Sequence, residues 1–343
     1  MSKIYTAEGW VNWEYLYSQT RLFCDVVGSR GTGKTYGLLK YAVENDLTFI
    51  LLRRLQSQIQ TIAGGSESNP FSKLNRDNDW TIQPIRKSGQ TCFYSTETDE
   101  KGKIKATGRC LGYAMALSTV STIRGGDWSN VDIIIFDEHI AMIGERPIKD
   151  EFNCFLHFVE TVNRNRELLG QAPVKVFLLG NANQLCNPYY SGWGFMKTAL
   201  KMIRGGQMLY RSKNGDRIMV LLLNSPISKR KKETALYQTE NNDFIRNAID
   251  NAFFTDATNI KSEKINGMSH IVSVGDIGIY RMKNGMYYVS ETVQKNNYYN
   301  GQGIELTMVR KRYCLFPDLY LYGGIQFENY DTELLFRAYF NQE

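Results

Sequence analysis

The chain has 343 residues, of which 43% are hydrophobic and 22% are charged, a balance typical of a folded globular protein with room for two domains. No apolar run approaches the roughly 20 residues that a membrane-spanning helix needs, and the first residues lack the apolar core of a signal peptide. The six cysteines include no Cys-x-x-Cys pair, which favours reduced, mostly buried thiols over a zinc site or disulfides. We therefore expect no membrane partner.

The net charge of +6 lies in the first part of the chain. After position 225, 14 basic residues balance 14 acidic ones, so residues 1–225 carry the whole excess. A basic excess of this size favours a polyanionic partner only weakly. The basic run at residues 229–232 predicts either a contact with a phosphate backbone or a solvated linker.

In chain order, the first strong pattern after an aromatic-rich, helix-like start is a strand, a glycine-rich loop and a helix. Residues 22–27 are an apolar run typical of a buried strand, and residues 36–43 have the apolar spacing of a helix. Between them lies a complete Gly-x-x-x-x-Gly-Lys-[Ser/Thr] phosphate loop. Its members are Gly28, Ser29, Arg30, Gly31, Thr32, Gly33, Lys34 and Thr35.

Each position of this loop has a task in binding a nucleoside triphosphate. The glycines let successive backbone N–H groups face the phosphate oxygens, and the N-terminus of the following helix favours anions. Lys34 can reach the β- and γ-phosphates, and the Thr35 hydroxyl can ligate Mg²⁺. Because a strand and a helix flank the loop, a chance match is a poor alternative.

The next apolar run, residues 48–52, ends in Arg53 and Arg54, which could contact adenine, nucleic acid or only water. Residues 64–80 are rich in turn-forming residues and predict a mobile loop. Residues 113–117 predict a further strand.

Asp137 and Glu138 end a run of four apolar residues, which gives the second strong signal. Asp137 can complete the Mg²⁺ shell, through a bound water, and Glu138 is placed to activate the attacking water as a general base. ATP hydrolases of this kind have an extra strand between the loop strand and the acid strand, and the run at 113–117 leaves room for it. A polar strand end without chemistry is the alternative.

Further polar candidates follow later in the chain. Residues 174–179 predict a buried strand, after which Asn181 or Asn183 could contact the γ-phosphate or the attacking water, or could simply form a turn. Asn181 is preferred because it lies nearer the strand end. Arginines that could neutralise the γ-phosphate are Arg124, Arg146, Arg164 and Arg166, and for each of them a solvated surface charge is the alternative.

The alternation of apolar strands and helices predicts an α/β fold with a mostly parallel sheet covered on both faces. Residues 1–225 form the predicted phosphate-loop domain, and residues 226–255 a partly helical linker. Residues 256–343 have short strands with glycine turns, including a hairpin around residues 284–285, and a terminal helix at 331–340. This last segment predicts a smaller α/β domain.

The order of these motifs resembles that of viral DNA-packaging ATPases of the terminase-like group. The shared elements are the phosphate loop, the strand ending in Arg53-Arg54, the Ser-Thr-Ile-Arg-Gly-Gly-Asp-Trp segment around Arg124, the Asp137-Glu138 strand and the Leu-Leu-Gly-Asn-Ala-Asn segment. The short length of the chain and the amino-acid sequence of the loop are most similar to those of the phi29-like encapsidation ATPases of small tailed phages. The resemblance covers residues 20–190 well and is weaker beyond them.

The resemblance implies an ASCE-type phosphate-loop ATPase that uses ATP and Mg²⁺ to pump double-stranded DNA. It implies a homo-oligomeric ring, a pentamer by family resemblance, on the portal (connector) of a procapsid in the cytoplasm of an infected bacterium, with packaging RNA as a further partner. By match, Lys34 and Thr35 bind phosphates and Mg²⁺, and Asp137 binds Mg²⁺. Glu138 activates water, Arg124 lies near the γ-phosphate, and Arg164 or Arg166 acts in trans.

The resemblance also implies a C-terminal RNase H-like domain, which in terminases binds two metal ions through carboxylates and cuts DNA. Here Asp276 is expected on the first strand of that domain, and the other acids are Glu291, Glu328 and Asp331. They form no clear acidic triad, so we expect a vestigial, degenerate domain without nuclease activity.

Two other classes of protein remain open. A helicase-like ATPase would unwind DNA, but the chain has no recognisable helicase motif beyond the two phosphate-site elements. A nucleotide kinase would share the phosphate loop, but it does not need a water-activating residue such as Glu138.

Overall fold

The computed structural model describes residues 3–64, 68–123, 125–142, 145, 148–182, 187–223, 225, 227, 230, 260–283, 285–321 and 324–340. The chain divides into two compact units. One comprises residues 1–184 and 194–253, and the other comprises residues 185–193 and 254–343. The predicted linker falls almost entirely outside the described residues.

A nine-stranded sheet, as far as the chain is described, forms the core of the first unit in the order β3-β4-β5-β2-β6-β7-β1-β9-β8. Neighbours from β5 through β9 run parallel, whereas β3, β4 and β8 pair antiparallel. The predicted mostly parallel sheet is therefore confirmed. The strand bounds are Phe23–Val27 (β1), Phe49–Arg53 (β2), Ile82–Lys87 (β3), Gln90–Thr98 (β4), Ile104–Ala116 (β5), Ile133–Asp137 (β6), Lys175–Gly180 (β7), Leu209–Arg211 (β8) and Arg217–Leu221 (β9).

The strand between the loop strand β1 and the acid strand β6 is β7. The run at residues 113–117, which the sequence offered for this position, instead belongs mostly to β5 and pairs with β2 on the other side of β6. That expectation was wrong because an apolar run predicts a buried strand but does not identify its neighbours. All three central strands are buried along their length, apart from the first residue of β7.

Helices of the first unit cover this sheet, and their bounds are Trp13–Gln19 (α1), Lys34–Glu44 (α2), Gln56–Gly64 (α3), Ser72–Asn78 (α4), Glu151–Asn163 (α5) and Met196–Gly205 (α7). Helix α4 occupies part of the stretch predicted to be a mobile loop. Leu74 is fully buried there, and the Asn78 side chain donates to the Leu74 carbonyl at 2.8 Å. One buried leucine thus anchors a helix in a segment whose composition favours turns.

The second unit contains a five-stranded sheet, in the described residues, with the order β13-β10-β11-β12-β14. Its strands are Ser269–Val274 (β10), Ile277–Arg281 (β11), Tyr287–Ser290 (β12), Tyr298–Tyr299 (β13) and Ile325–Phe327 (β14), and its helices are Pro188–Trp193 (α6), Gly303–Arg312 (α8), Phe316–Leu321 (α9) and Tyr330–Phe340 (α10). The antiparallel β11–β12 pair confirms the predicted hairpin, and α10 confirms the terminal helix. None of the helices in the described residues is long and apolar enough to cross a membrane.

Candidate nucleotide-binding site

The phosphate loop connects β1 to α2 at the carboxyl edge of the sheet, where parallel α/β folds bind ligands. Gly33 ends the loop with φ 78°, in the left-handed region that favours glycine, and the helix begins at Lys34. A Cβ atom at Gly33 would also lie 2.9 Å from the ring of Trp10. The loop therefore needs a glycine here for both its conformation and its space.

The ammonium group of Lys34 is held by oxygen atoms from two parts of the site. Its Nζ donates to the carbonyls of Gly28 at 2.9 Å and Ser29 at 2.8 Å, and to Oδ1 of Asn181 at 3.2 Å. Lys34 is buried, and Asn181 directly follows β7. A phosphate oxygen that binds Lys34 would therefore compete with these acceptors, among them the Asn181 side chain.

Thr35 and Asp137 present two oxygen ligands side by side. The Thr35 hydroxyl donates to Asp137 Oδ1 at 2.8 Å, and Asp137 is buried at the end of β6. Hydroxyl and carboxylate oxygens suit Mg²⁺, which in phosphate sites takes few protein ligands and completes its shell with water and phosphate. These two residues thus fit the ion that the loop implies.

Arg53, the last residue of β2, binds both acids at the end of β6. Its Nη2 lies 2.8 Å from Asp137 Oδ2, and its Nη1 lies 2.6 Å from Glu138 Oε2. The Arg53 side chain is 17% exposed, whereas that of Glu138 is 55% exposed. The sequence placed Arg53 at this edge but left its partner open, because β2 and β6 become neighbours only in the folded sheet.

The backbone at Glu138 is in an unusual conformation. Its φ is 58°, in the left-handed region that non-glycine residues seldom adopt and that costs on the order of 1 kcal/mol. The next residue, His139, is fully buried, with Nε2 3.3 Å from Asp25 Oδ1. A Cβ atom at Gly180 would lie 2.8 Å from the His139 ring, so the glycine makes room for it. The buried imidazole anchors the chain directly after the candidate base.

Burial lowers the pKa of His139 to about 3, so its imidazole is neutral at physiological pH. The fully buried position also places His139 behind the strand ends and not in the cleft. The sequence does not predict the role of His139, because a histidine that follows two acids belongs to no motif that identifies its neighbours in the fold.

The side chains predicted to bind nucleotide line one cleft with a volume of about 470 Å³, within the range of small-molecule sites. Its lining includes Arg30, Lys34, Thr35, Asp137, Glu138 and Asn181. Met142 lies on its exposed rim, 3.4 Å from the Arg30 guanidinium. The structure therefore brings the predicted phosphate, metal and base residues together.

Arg164 and Arg166 lie away from this cleft. Both follow α5 and donate to backbone carbonyls of the segment that leads into β6. Arg164 binds the carbonyl of Gly126, and Arg166 binds those of Ser129 at 2.9 Å and Val131 at 2.6 Å. Because this segment precedes β6, it lies at the edge of the sheet opposite the phosphate loop. Three other candidates lie outside the described residues, namely Arg124, Arg146 and Asn183.

Arg54 faces away from the cleft, since successive side chains at a strand end point to opposite faces. It is buried and pairs with Glu151 through two hydrogen bonds of 2.7 Å, and its Nη1 lies 3.1 Å from Glu145. Arg54 is therefore a buried residue of the core whose guanidinium binds carboxylates outside the nucleotide cleft.

In the second unit, Asp276 lies in the turn between β10 and β11, so its expected place on the first strand was wrong. Asn329 donates to Glu291 at 2.9 Å, and Glu328 accepts from Ser290 at 2.6 Å. Within the part of the chain that is described, no group of three or more His, Cys, Asp or Glu side chains could hold a metal ion.

The fold and the loop together define a phosphate-loop protein built on a large, mostly parallel sheet. The sequence profile of the podovirus DNA encapsidation protein (Gp16) family matches residues 7–300, and the chain therefore belongs to that family.

The chain is also similar to two curated relatives and to two solved structures. The chain is 27% identical over 185 residues to the DNA packaging protein of Bacillus phage phi29, covering 52% of this chain and 48% of that protein. It is 26% identical over 189 residues to that of Bacillus phage B103, covering 53% and 50%. These matches span about half the length of the curated relatives.

The solved structures cover nearly the whole chain. The Phi-28 gp11 DNA packaging motor superposes with a TM-score of 0.58 at 22% identity, covering 98% of this chain and 99% of that one. The bacteriophage Phi-29 genome packaging motor assembly gives 0.57 at 19% identity, covering 96% and 99%. At such identities the comparison establishes a shared fold.

Proposed function

We propose that this protein is a subunit of a viral DNA-packaging motor that hydrolyses ATP to translocate double-stranded DNA into a procapsid. The observation that carries the proposal is the single cleft in which Lys34 and Thr35 face Asp137 and Glu138. Membership of the encapsidation family supports the DNA-packaging part of the proposal.

In this proposal the loop amides and Lys34 bind the phosphates of ATP, and Thr35 and Asp137 would hold Mg²⁺, Asp137 through a bound water. The ion would neutralise charge on the phosphates. Glu138 accepts a proton from the water that attacks the γ-phosphate. Asn181 sits where it can follow the loss of that phosphate, since it already contacts Lys34.

The ion pair with Arg53 sets a condition on this reaction. Glu138 Oε2 lies 2.6 Å from Arg53 Nη1, and a proton on the Glu138 carboxylate would weaken this ion pair. The Glu138 side chain lines the cleft and is more than half exposed, so it can change its contacts without disturbing the core. In the proposed cycle, transfer of a proton to Glu138 therefore acts against its ion pair with Arg53.

The strand order supports an ASCE-type ATPase, because β7 separates the loop strand from the acid strand. For the second unit we propose an RNase H-like fold and no nuclease activity. The antiparallel β10–β11–β12 arrangement flanked by helices supports that fold.

The two arginines after α5 bear on the proposed homo-oligomeric ring. An arginine at the edge opposite its own cleft cannot reach that cleft, so any role on a γ-phosphate would be in the cleft of a neighbouring subunit. Arg164 is exposed and binds one carbonyl, whereas Arg166 is partly buried and binds three. We therefore favour Arg164 as the residue that acts in trans. We further propose that the ring binds the portal of a procapsid, with packaging RNA as another partner. This would take place in the cytoplasm of the bacterial host.

ATP turnover measured with and without duplex DNA, and without any phosphoryl acceptor, tests this proposal. A packaging motor releases phosphate without an acceptor and does so faster with duplex DNA, whereas a kinase needs the acceptor. A strand-displacement assay under the same conditions separates the motor from a helicase. Acceptor-dependent turnover or displacement of a strand would contradict the motor assignment.

A further inference from the structure

A second, smaller cleft lies between α3 and the β3–β4 hairpin, and the nucleotide site does not explain it. Its volume is about 240 Å³. Its lining includes Gln56, Gln60, Gly64, Arg86, Gly89 and Thr91, and it shares no lining residue with the nucleotide cleft.

The hairpin fixes the position of Arg86 in this cleft. Ser88 and Gly89 have φ values of 48° and 81°, as a two-residue turn with both residues in the left-handed region requires. The strand register places Arg86 opposite Thr91, so both side chains project from the same face of the sheet. Ile59 of α3 is buried beside them and closes the floor of the cleft.

The chemistry of the lining suits an anion. Arg86 is exposed and forms no ion pair with a carboxylate in the described ranges, and no acidic residue lines the cleft. Helix α3 carries no charged residue, and its Gln56 and Gln60 supply amide groups. Thr119 donates to Gln56 Oε1 at 3.3 Å, which orients that amide. One guanidinium with two amides is a donor set for phosphate oxygens.

Two glycines of the lining, Gly64 and Gly89, border open space. A Cβ atom added at Gly64 or at Gly89 would have no atom within 4 Å. On the other face of the hairpin, Lys87 lies 5.9 Å from the ring centre of Tyr94 and adds a second positive charge to the same tip. A side chain at position 64 or 89 would therefore extend into open space beside the cleft.

We propose that this cleft binds a backbone phosphate of duplex DNA, with Arg86 as the principal ligand and Gln56 and Gln60 as further donors. The inference rests on the proposed function, because a DNA-translocating protein must bind the duplex somewhere on its surface. Contacts to phosphates carry no sequence information, which suits a protein that moves along any sequence.

Binding of a labelled DNA duplex to the full chain, measured over a range of salt concentrations, tests the site. Loss of one phosphate contact lowers the slope of log affinity against log salt by about 0.9. We expect Arg86→Ala to show this change and to weaken binding several-fold. Lys105→Ala is the matched control, because Lys105 lies on the neighbouring hairpin, is 63% exposed and is paired with Asp99 at 2.9 Å.

A pair of substitutions at Gly64 separates charge from structure. The glycine has no left-handed φ and its Cβ position is open, so lysine and glutamate are both accommodated. Gly64→Lys should tighten duplex binding and Gly64→Glu should weaken it, each by about threefold. The two variants should have the same thermal stability as each other. A purely structural effect would move both variants in the same direction.

The outcomes distinguish this site from the proposed function. If the unaltered protein binds duplex DNA but Arg86→Ala and the Gly64 pair leave affinity and slope unchanged, the site is wrong and the motor proposal stands. If Arg86→Ala weakens binding of duplex RNA alone, the assignment to DNA is wrong. Failure of the unaltered protein to bind any duplex would contradict the motor proposal and this site together.

Discussion

Arg53 Nη1 lies 2.6 Å from Glu138 Oε2, so a cation on the neighbouring strand binds the candidate general base. The same guanidinium binds Asp137, the candidate Mg²⁺ ligand, at 2.8 Å. One arginine thus compensates two carboxylates that would otherwise repel each other at the end of β6. This relationship links the stability of the protein to the chemistry of its site.

The first prediction concerns this compensation. Arg53→Ala should lower the free energy of unfolding without nucleotide by about 1–3 kcal/mol, a range that allows for the exposure of Glu138. Mg²⁺ and ATP should stabilise the variant more than the unaltered protein, because the ion would replace part of the lost positive charge. Chemical denaturation with and without Mg²⁺ and ATP measures both quantities.

Arg21→Ala is the control for that experiment. Arg21 pairs with Glu167 at 3.9 Å, and both side chains are more than half exposed, so its loss should change stability by less than about 0.5 kcal/mol. An Arg53→Ala variant as stable as this control would refute the compensating role.

The second prediction concerns the contact between Asn181 and Lys34. Asn181→Asp places a carboxylate beside the ammonium, which strengthens that contact and repels the γ-phosphate. We expect affinity for ATP with Mg²⁺ to fall about tenfold, the difference between a neutral and a charged hydrogen bond. Asn181→Ala only removes an acceptor and should change affinity by less than about threefold. Calorimetric titration compares the two variants, and equal affinities would contradict the competition between Asn181 and phosphate.

The third prediction concerns the buried pair of Arg54 and Glu151, whose side chains are 2% and 3% exposed. Arg54→Met or Glu151→Met alone leaves a buried charge with fewer partners and should cost about 3–5 kcal/mol. The double variant should cost less than the sum by about 2 kcal/mol or more. A double-mutant cycle by denaturation measures this coupling, and additive losses would show that the pair is not the stabilising unit.

The fourth prediction concerns the reactivity of the cysteines with pH. A hydrogen bond from Cys92 is the main cause that lowers the pKa of Cys110 to about 6, whereas burial raises the pKa of Cys24 to about 12. Alkylation of Cys110 should therefore proceed at pH 7 and slow below about pH 6, while Cys24 should react only after unfolding. Cys92→Ala should shift the Cys110 profile to higher pH.

The lowered pKa of Cys110 also predicts the direction in which stability changes with pH. Because the folded state favours the Cys110 thiolate, its contribution is complete above the ordinary thiol pKa of 9 and is lost as pH falls toward 6. A stability difference between the unaltered protein and Cys92→Ala that grows in the opposite direction would contradict this assignment.

The parts of the site that one chain segment supplies were predictable from the sequence. The phosphate loop between a strand and a helix, and the two acids at the end of β6, are local patterns with a physical meaning. The structure places them in one cleft, with Asn181 beside Lys34.

Contacts between distant segments were not predictable in this way. Arg53 and Arg54 look alike in the sequence, yet one binds the acids of the site and the other binds Glu151 in the core. Strand pairing places β7, and not the run at residues 113–117, between β1 and β6, although both segments are apolar. Such outcomes depend on which faces meet in the sheet, and a local pattern does not contain that information.

The most direct test of the central claim is ATP turnover by Glu138→Gln in the presence of duplex DNA. Glutamine keeps the size of the side chain but cannot accept a proton from water, so turnover should fall by at least about 100-fold while ATP and DNA still bind. Glu167→Gln, at another exposed glutamate, should turn over normally. Unchanged turnover by Glu138→Gln would contradict the assignment of the base and the hydrolytic mechanism built on it.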